Sequence, residues 1–207
     1  MFALVDKSDN SITRMLNGNK GITLGDNQYP RAIFTLWTEA ERNAINIYAV
    51  TIDNSKKKDE RWYINTNITY SFDGTNATGS HGDATARAHA DTKWTQEEID
   101  DNEAPEGADT DTVKVEGLKT ILIKTIKAQA EGELNKTDWY ITRKSEKNTA
   151  IPSAITTHRD AVRSKQASME TAITNASDTP ALETLYTYTT DSDGVQSRPL
   201  GEIPTLE

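Results

Sequence analysis

Two stretches of helical apolar spacing, split by a short polar corner, constrain this chain most. From Val113 to Leu134 the apolar positions Leu118, Ile121, Leu122, Ile126 and Ala130 run down one side of an amphipathic helix. From Ser153 the series Ile155, Val162, Met169, Ile173 and Ala176, interleaved with Arg159, Arg163 and Lys165, fits a single stripe on a helix of about 25 residues, or about 37 Å. Between them lies KTDWYITRKSEKNTAIP, residues 136–152. Asn135 to Asp138 break the first run, because short polar side chains compete for backbone hydrogen bonds. Thr137 or Asp138 can cap a new helical start, with Trp139, Tyr140 and Arg143 at turn spacing. Trp139 is expected to anchor the corner in a small helical core. Ile151-Pro152 forces an extended residue and then a helix start, and Thr179-Pro180 is expected to stop the second helix. The two helices pair most simply in antiparallel fashion, with Leu182, Leu185 and Tyr186 closing a third helical element.

The first 78 residues read differently. Phe2–Val5 and Ile12–Leu16 are strand-like around a turn, and Asn17-Gly18 is a strong turn signal. The runs NGNKG and GITLGDN lack the Gly-Lys-Ser/Thr order and the strand-then-helix setting of a phosphate loop, and read as turns. Thr38 and Glu41 form a capping box for a short helix over residues 39–44. A β-branched strand follows at Ile45–Ile52. Trp62, Ile64, Thr66, Ile68, Tyr70 and Phe72 alternate with Tyr63, Asn65, Asn67, Thr69 and Ser71, the period of one half-buried strand in an antiparallel sheet.

Residues 79–112 break the composition. They carry most of the net negative charge: by count, residues 1–75 hold nine basic and nine acidic side chains, 76–112 two and ten, and 113–207 twelve and thirteen. This segment reads as an acidic connector with one ordered turn, where Thr95 and Glu98 form a capping box and Trp94 and Ile99 sit at staple positions. The expected architecture is therefore α+β: a small antiparallel β domain at 1–78, the connector at 79–112, a helical hairpin or small bundle at 113–188, and an extended tail at 189–207.

Composition excludes several functions. A net charge of −9 argues against unaided binding to nucleic acid or an anionic membrane. The absence of cysteine removes disulfides, thiolate metal sites and thiol nucleophiles. No apolar run approaches the ~20 residues of a membrane span, and no signal peptide is apparent. His81 and His89 lie with Asp83 and Asp91 in HGDATARAHAD, a spacing that matches no metal site. Asp109 and Asp111 lack the glycine and final glutamate of a calcium loop. No Gly-x-Ser-x-Gly occurs, and the paired acids of 97–111 read as a solvated run. The expectation is a non-enzymatic protein without metal or cofactor.

The C-terminal half resembles the tail assembly chaperone and tail-fibre assembly proteins of tailed bacteriophages. The residues that carry the likeness are the helix ending at Leu134, Thr137-Asp138-Trp139-Tyr140, Arg143, Ile151-Pro152, and Arg159 with Val162-Arg163. Tyr29-Pro30, Ile33-Phe34, Trp37, Glu41-Arg42 and Ile47-Tyr48-Val50 also resemble the opening domain of such tail proteins. The resemblance spans roughly residues 113–178 and, more loosely, 25–75. It implies a protein that binds a tail-fibre or baseplate protein in the host cytoplasm during assembly, with retention in the virion tail, permanent residence as a baseplate or fibre adaptor, and homo-oligomerisation as alternatives. Candidate partner-binding residues are Trp139, Tyr140, Arg143, Arg159 and Arg163, with purely internal packing as the competing role.

Overall fold

The computed structural model describes residues 1–206. The chain is mixed α and β and divides into two compact units, residues 1–85 and residues 86 onward.

In the first unit, β1 (Phe2–Asp6) and β2 (Ser11–Leu16) form an antiparallel hairpin with a bulge between Leu4 and Val5. A small antiparallel ribbon follows, β3 (Ile22–Leu24) with β4 (Asn27–Tyr29). A 3-10 turn (Arg31–Phe34) leads to α1 (Glu39–Ala44), whose capping box joins Thr38 and Glu41 reciprocally. Then come β5 (Ile47–Asp53), β6 (Tyr63–Ile64), β7 (Thr69–Phe72) and β8 (Ala77–Ser80). The main sheet has the order β2-β1-β5-β8-β7. It is not wholly antiparallel: β5 and β8 pair in parallel, Val50 opposite Ala77. The chain leaves β5 through a long excursion over residues 54–68 and enters β8 from the tight β7 turn, which reverses the direction. Both faces are covered. Ala3, Val5, Tyr48, Phe72 and Ala77 make one core. Leu16, Ile33, Phe34 and Ile47 make the other, against Leu4, Trp37 and Ile45.

The long alternating strand expected over 62–72 is interrupted. Trp62 and Tyr63 are both buried, while Ile64 is 62% exposed. Asn65 causes the break by exchanging two hydrogen bonds with the backbone of Lys58, at 2.9 and 2.8 Å. Thr66 then holds the loop beyond β8, accepting from Gly82 N on its hydroxyl and from His81 Nδ1 on its carbonyl. The period-two pattern survives; the hydrogen bonds that would make it one strand go elsewhere.

In the second unit, segment 86–112 is structured. β9 (Thr85–Ala86) ends at its border, and β10 (Thr92–Lys93) pairs antiparallel with β11 (Val113–Val115). Inside that loop α2 (Gln96–Asp100) opens on a Thr95–Glu98 capping box. Ion pairs Lys93–Asp111 and Lys114–Glu98 tie the loop.

Helix α3 spans Leu118–Asn135, α4 Asp138–Lys147, α5 Ser153–Asn175 and α6 Thr179–Tyr186. Residues 113–115, expected at the start of a helix, are strand β11. Leu118, Leu122, Ile126 and Ala130 of α3 are buried, as are Ile155, Val162, Met169 and Ile173 of α5; Ile121 is 41% exposed. The two helices run in opposite directions: Lys119 at the start of α3 donates to Thr174 O near the end of α5, and Arg159 near the start of α5 donates to Leu134 O. Pro180 opens a helix where the sequence reading had it stopping one: α5 ends at Asn175, and Asp178 caps α6 by accepting from Ala181 N at 2.8 Å. The last residues are not simply extended. β12 (Thr189–Thr190) and β13 (Gln196–Ser197) form a ribbon, and Leu200, only 2% exposed, donates its amide to Leu185 O.

The start of α3 shows how this unit is pinned. Gly117 caps it without a side chain. Asp91 supplies the missing acceptor, taking Gly117 N on Oδ1 (2.7 Å) and the Thr120 hydroxyl on Oδ2 (2.9 Å). Ala88 O and His89 O accept from Leu118 N and Lys119 N. These are the amides a helix start leaves without intrahelical partners. The backbone of residue 90 comes so close that a Cβ on Gly117 would stand 2.3 Å from Ala90.

Candidate interaction site

The corner between α3 and α5 is built from a buried polar knot and an exposed aromatic helix. Leu134 O lies in the last turn of α3, where carbonyls carry the negative end of the helix dipole, and it accepts from Thr137 N at 3.0 Å. Arg159 adds a charged donor. Its Nη1 lies 2.8 Å from Leu134 O, 2.6 Å from Thr137 Oγ1 and 2.8 Å from Asp138 Oδ1. Thr137, fully buried, also donates its hydroxyl to Leu134 O at 2.9 Å. Arg159 is itself buried and acts inside the protein, locking the end of α3 to the start of α4.

Glu133 lies beside this knot, 5% exposed. It accepts from Lys136 Nζ on Oε2 and from Leu206 N on Oε1 at 2.6 Å. The hydrogen bond from Lys136, then that from Leu206, holds its carboxyl below the usual range against the opposing effect of burial. His158 Nε2 stands 3.2 Å from Glu133 Oε1 without hydrogen-bond geometry.

Helix α4 buries none of its residues. Trp139 is 52% exposed, so it is no core anchor; it stacks on Tyr140 with ring centroids 3.8 Å apart. The Arg143 guanidinium sits 4.7 Å from the Trp139 ring and 5.2 Å from the Tyr140 ring. Ile141 is also exposed, at 43%. Trp139, Tyr140 and Arg143 therefore form one cluster. Arg159 lies inward, and Arg163 is an exposed side chain of α5 paired at 3.3 Å with Asp160.

No protein-family model, curated protein or solved structure matches this chain. Half-exposed tryptophan, tyrosine and arginine in mutual contact are the residue types enriched where proteins bind proteins. Among the described residues no group of three His, Asp or Glu side chains could hold a metal ion, and no helix is long and apolar enough to cross a membrane. Asp91, which neighbours His81, Asp83 and His89 in sequence, is occupied as the cap of α3, where the hydrogen bond from Gly117 N and then that from Thr120 hold its carboxyl below the usual carboxylate range.

Sequence reading missed Glu133 and Ile141. Glu133 had a signal: it falls three residues after Ala130, on the apolar stripe itself, where a charge requires partners. Ile141 had none, since nothing in the sequence tells which side of a short polar helix stays uncovered.

Proposed function

We propose that this chain is a non-enzymatic tail protein of a bacteriophage that binds a tail-fibre or tail-tip protein as an assembly or accessory factor, with α4 as the contact. The resemblance of residues 113–178 to tail-fibre assembly proteins supports the family, and one observation carries the contact: exposed Trp139 stacks with half-buried Tyr140 and Arg143 on a helix with no fully buried residue. An aromatic cluster held in place before binding loses little side-chain freedom on association. Arg159 and Thr137 give it that rigidity by fixing the first turn of α4.

Co-expression with the fibre protein of the same phage tests the reading. Trp139→Ala combined with Arg143→Ala should lower affinity by about 30-fold or more, the scale of an interface hot spot of ≥ 2 kcal/mol. Undiminished binding by the folded double variant would reject α4 as the contact. Quantitative mass spectrometry of purified virions separates the two roles. Fixed stoichiometry with tail proteins identifies a retained component or adaptor, and absence from virions identifies a factor confined to assembly in the host cytoplasm.

A further inference from the structure

The turn between β2 and β3, read from sequence as a plain turn, encloses a pocket of about 470 Å³ in the first unit. Its size falls within the few hundred to ~1,000 Å³ of small-molecule sites. Its lining includes Arg14, Asn17, Gly18, Asn19, Lys20 and Phe34 and has no acidic residue. That is unusual for a chain of net charge −9, and two further pockets are each lined by glutamate. Arg14 and Lys20 make no ion pair with any described residue, although most cations around them in the sequence are engaged.

The backbone adds donors. The amides of Gly18, Asn19 and Lys20 donate to no other oxygen of the described chain. Gly18 is left-handed, at φ +69°, and packs so tightly that a Cβ there would stand 3.2 Å from Phe2 and 3.3 Å from Phe34. Successive amides in a turn with a left-handed residue form an anion-binding concavity. Here an arginine that can grip two oxygens of a phosphate and a lysine point charge flank it. Asn17 and Asn19 offer amide groups that pair with hydroxyls. Phe34 and Leu16 give the pocket an apolar part.

From this set of groups we infer that the β2–β3 pocket binds a phosphorylated sugar, the phosphoryl group on Arg14, Lys20 and the turn amides, the hydroxyls on the asparagines, and the ring against the apolar lining. The inference is independent of the α4 contact and of the phage reading.

Titration calorimetry on the full chain tests it with three probes: glucose 6-phosphate, glucose and inorganic phosphate. The sugar phosphate should bind at least tenfold more tightly than either fragment. Arg14→Ala with Lys20→Ala should weaken it at least tenfold with an unchanged circular dichroism spectrum. Because both side chains are exposed, folding should be unaffected; in the unmodified chain, raising salt from 50 to 500 mM should weaken binding as an independent check. A sugar phosphate that binds no better than inorganic phosphate, or binding indifferent to the double substitution and to salt, would overturn the proposal. A phosphodiester-linked glycan polymer forms a second arm. Tighter binding than the monomer identifies a surface glycan as the source, and weaker binding identifies a free sugar phosphate; either supports the site.

Discussion

Residues 1–85 bury apolar side chains on both faces of a sheet, from Ala3, Val5 and Phe72 on one side to Ile33, Phe34 and Ile47 on the other. The helical unit buries one stripe per helix and fixes the helix ends with polar groups: Asp91 at the start of α3, Arg159 at its end, and Asp178 with Thr179 at the start of α6. A sheet covered on both faces gains its geometry from ladder register and close packing together. A pair of helices in contact along a narrow stripe can slide and rotate more easily, so hydrogen bonds at the termini do more to specify it. The buried polar residues Thr137, Arg159 and Thr179 thus sit at joints between elements.

Three substitutions probe that contrast. Ile47 is fully buried, and Ile47→Ala should destabilise the first unit by about 2–5 kcal/mol, read by urea denaturation with amide exchange to localise the loss. Arg159→Ala should cost about 2–3 kcal/mol and speed amide exchange in α4, because it strips partners from buried Thr137 and from Leu134 O. A near-neutral Arg159→Ala would mean that the apolar stripe alone holds the helical unit, and the contrast would fail. Gly117→Ala should cost about 1–3 kcal/mol by forcing the α3 start away from Ala90, and a stable variant with unchanged exchange at Leu118 and Lys119 would show that segment 88–91 is not a required cap.

The pH dependence is the finest test. The Glu133 carboxyl titrates below its usual value of 4.5 in the folded chain. Its stabilising contribution is therefore complete above that value, and it is lost as pH falls through the lowered folded pKa. Glu133→Gln should flatten the acid limb of the helical unit's stability curve. An acid limb unchanged by the substitution would show that Lys136 and Leu206 do not hold the carboxylate in solution.

Much of the architecture was legible because periodicity reports burial. The α3 and α5 stripes, the capping boxes at Thr38 and Thr95 and the helix beginning after Pro152 follow from local spacing and from side chains that reach their own backbone. The parallel β5–β8 pair was not legible, since strand direction depends on where a long loop returns. Trp139 was misplaced in a core because its size favours burial, yet it is 52% exposed while Thr137 and Arg159 are the buried residues of the corner. Within the candidate site, sequence named all three stacked residues but also Arg159, whose length carries its charge inward as well as it could carry it outward.

What the sequence determined alone is a set of local choices: the apolar stripes of α3 and α5, the capping boxes at Thr38 and Thr95, and the lack of cysteine chemistry. Those depend on neighbours within a few residues and need no fold to act. Tertiary structure alone decided the partners of the polar groups. Asp91 reaches Gly117 and Thr120, Thr179 donates to Arg87 O, and Leu206 N finds Glu133 across 73 positions. Hydrogen bonds are short-ranged and directional, so their pairing exists only once the folded backbone has brought distant residues within about 3 Å.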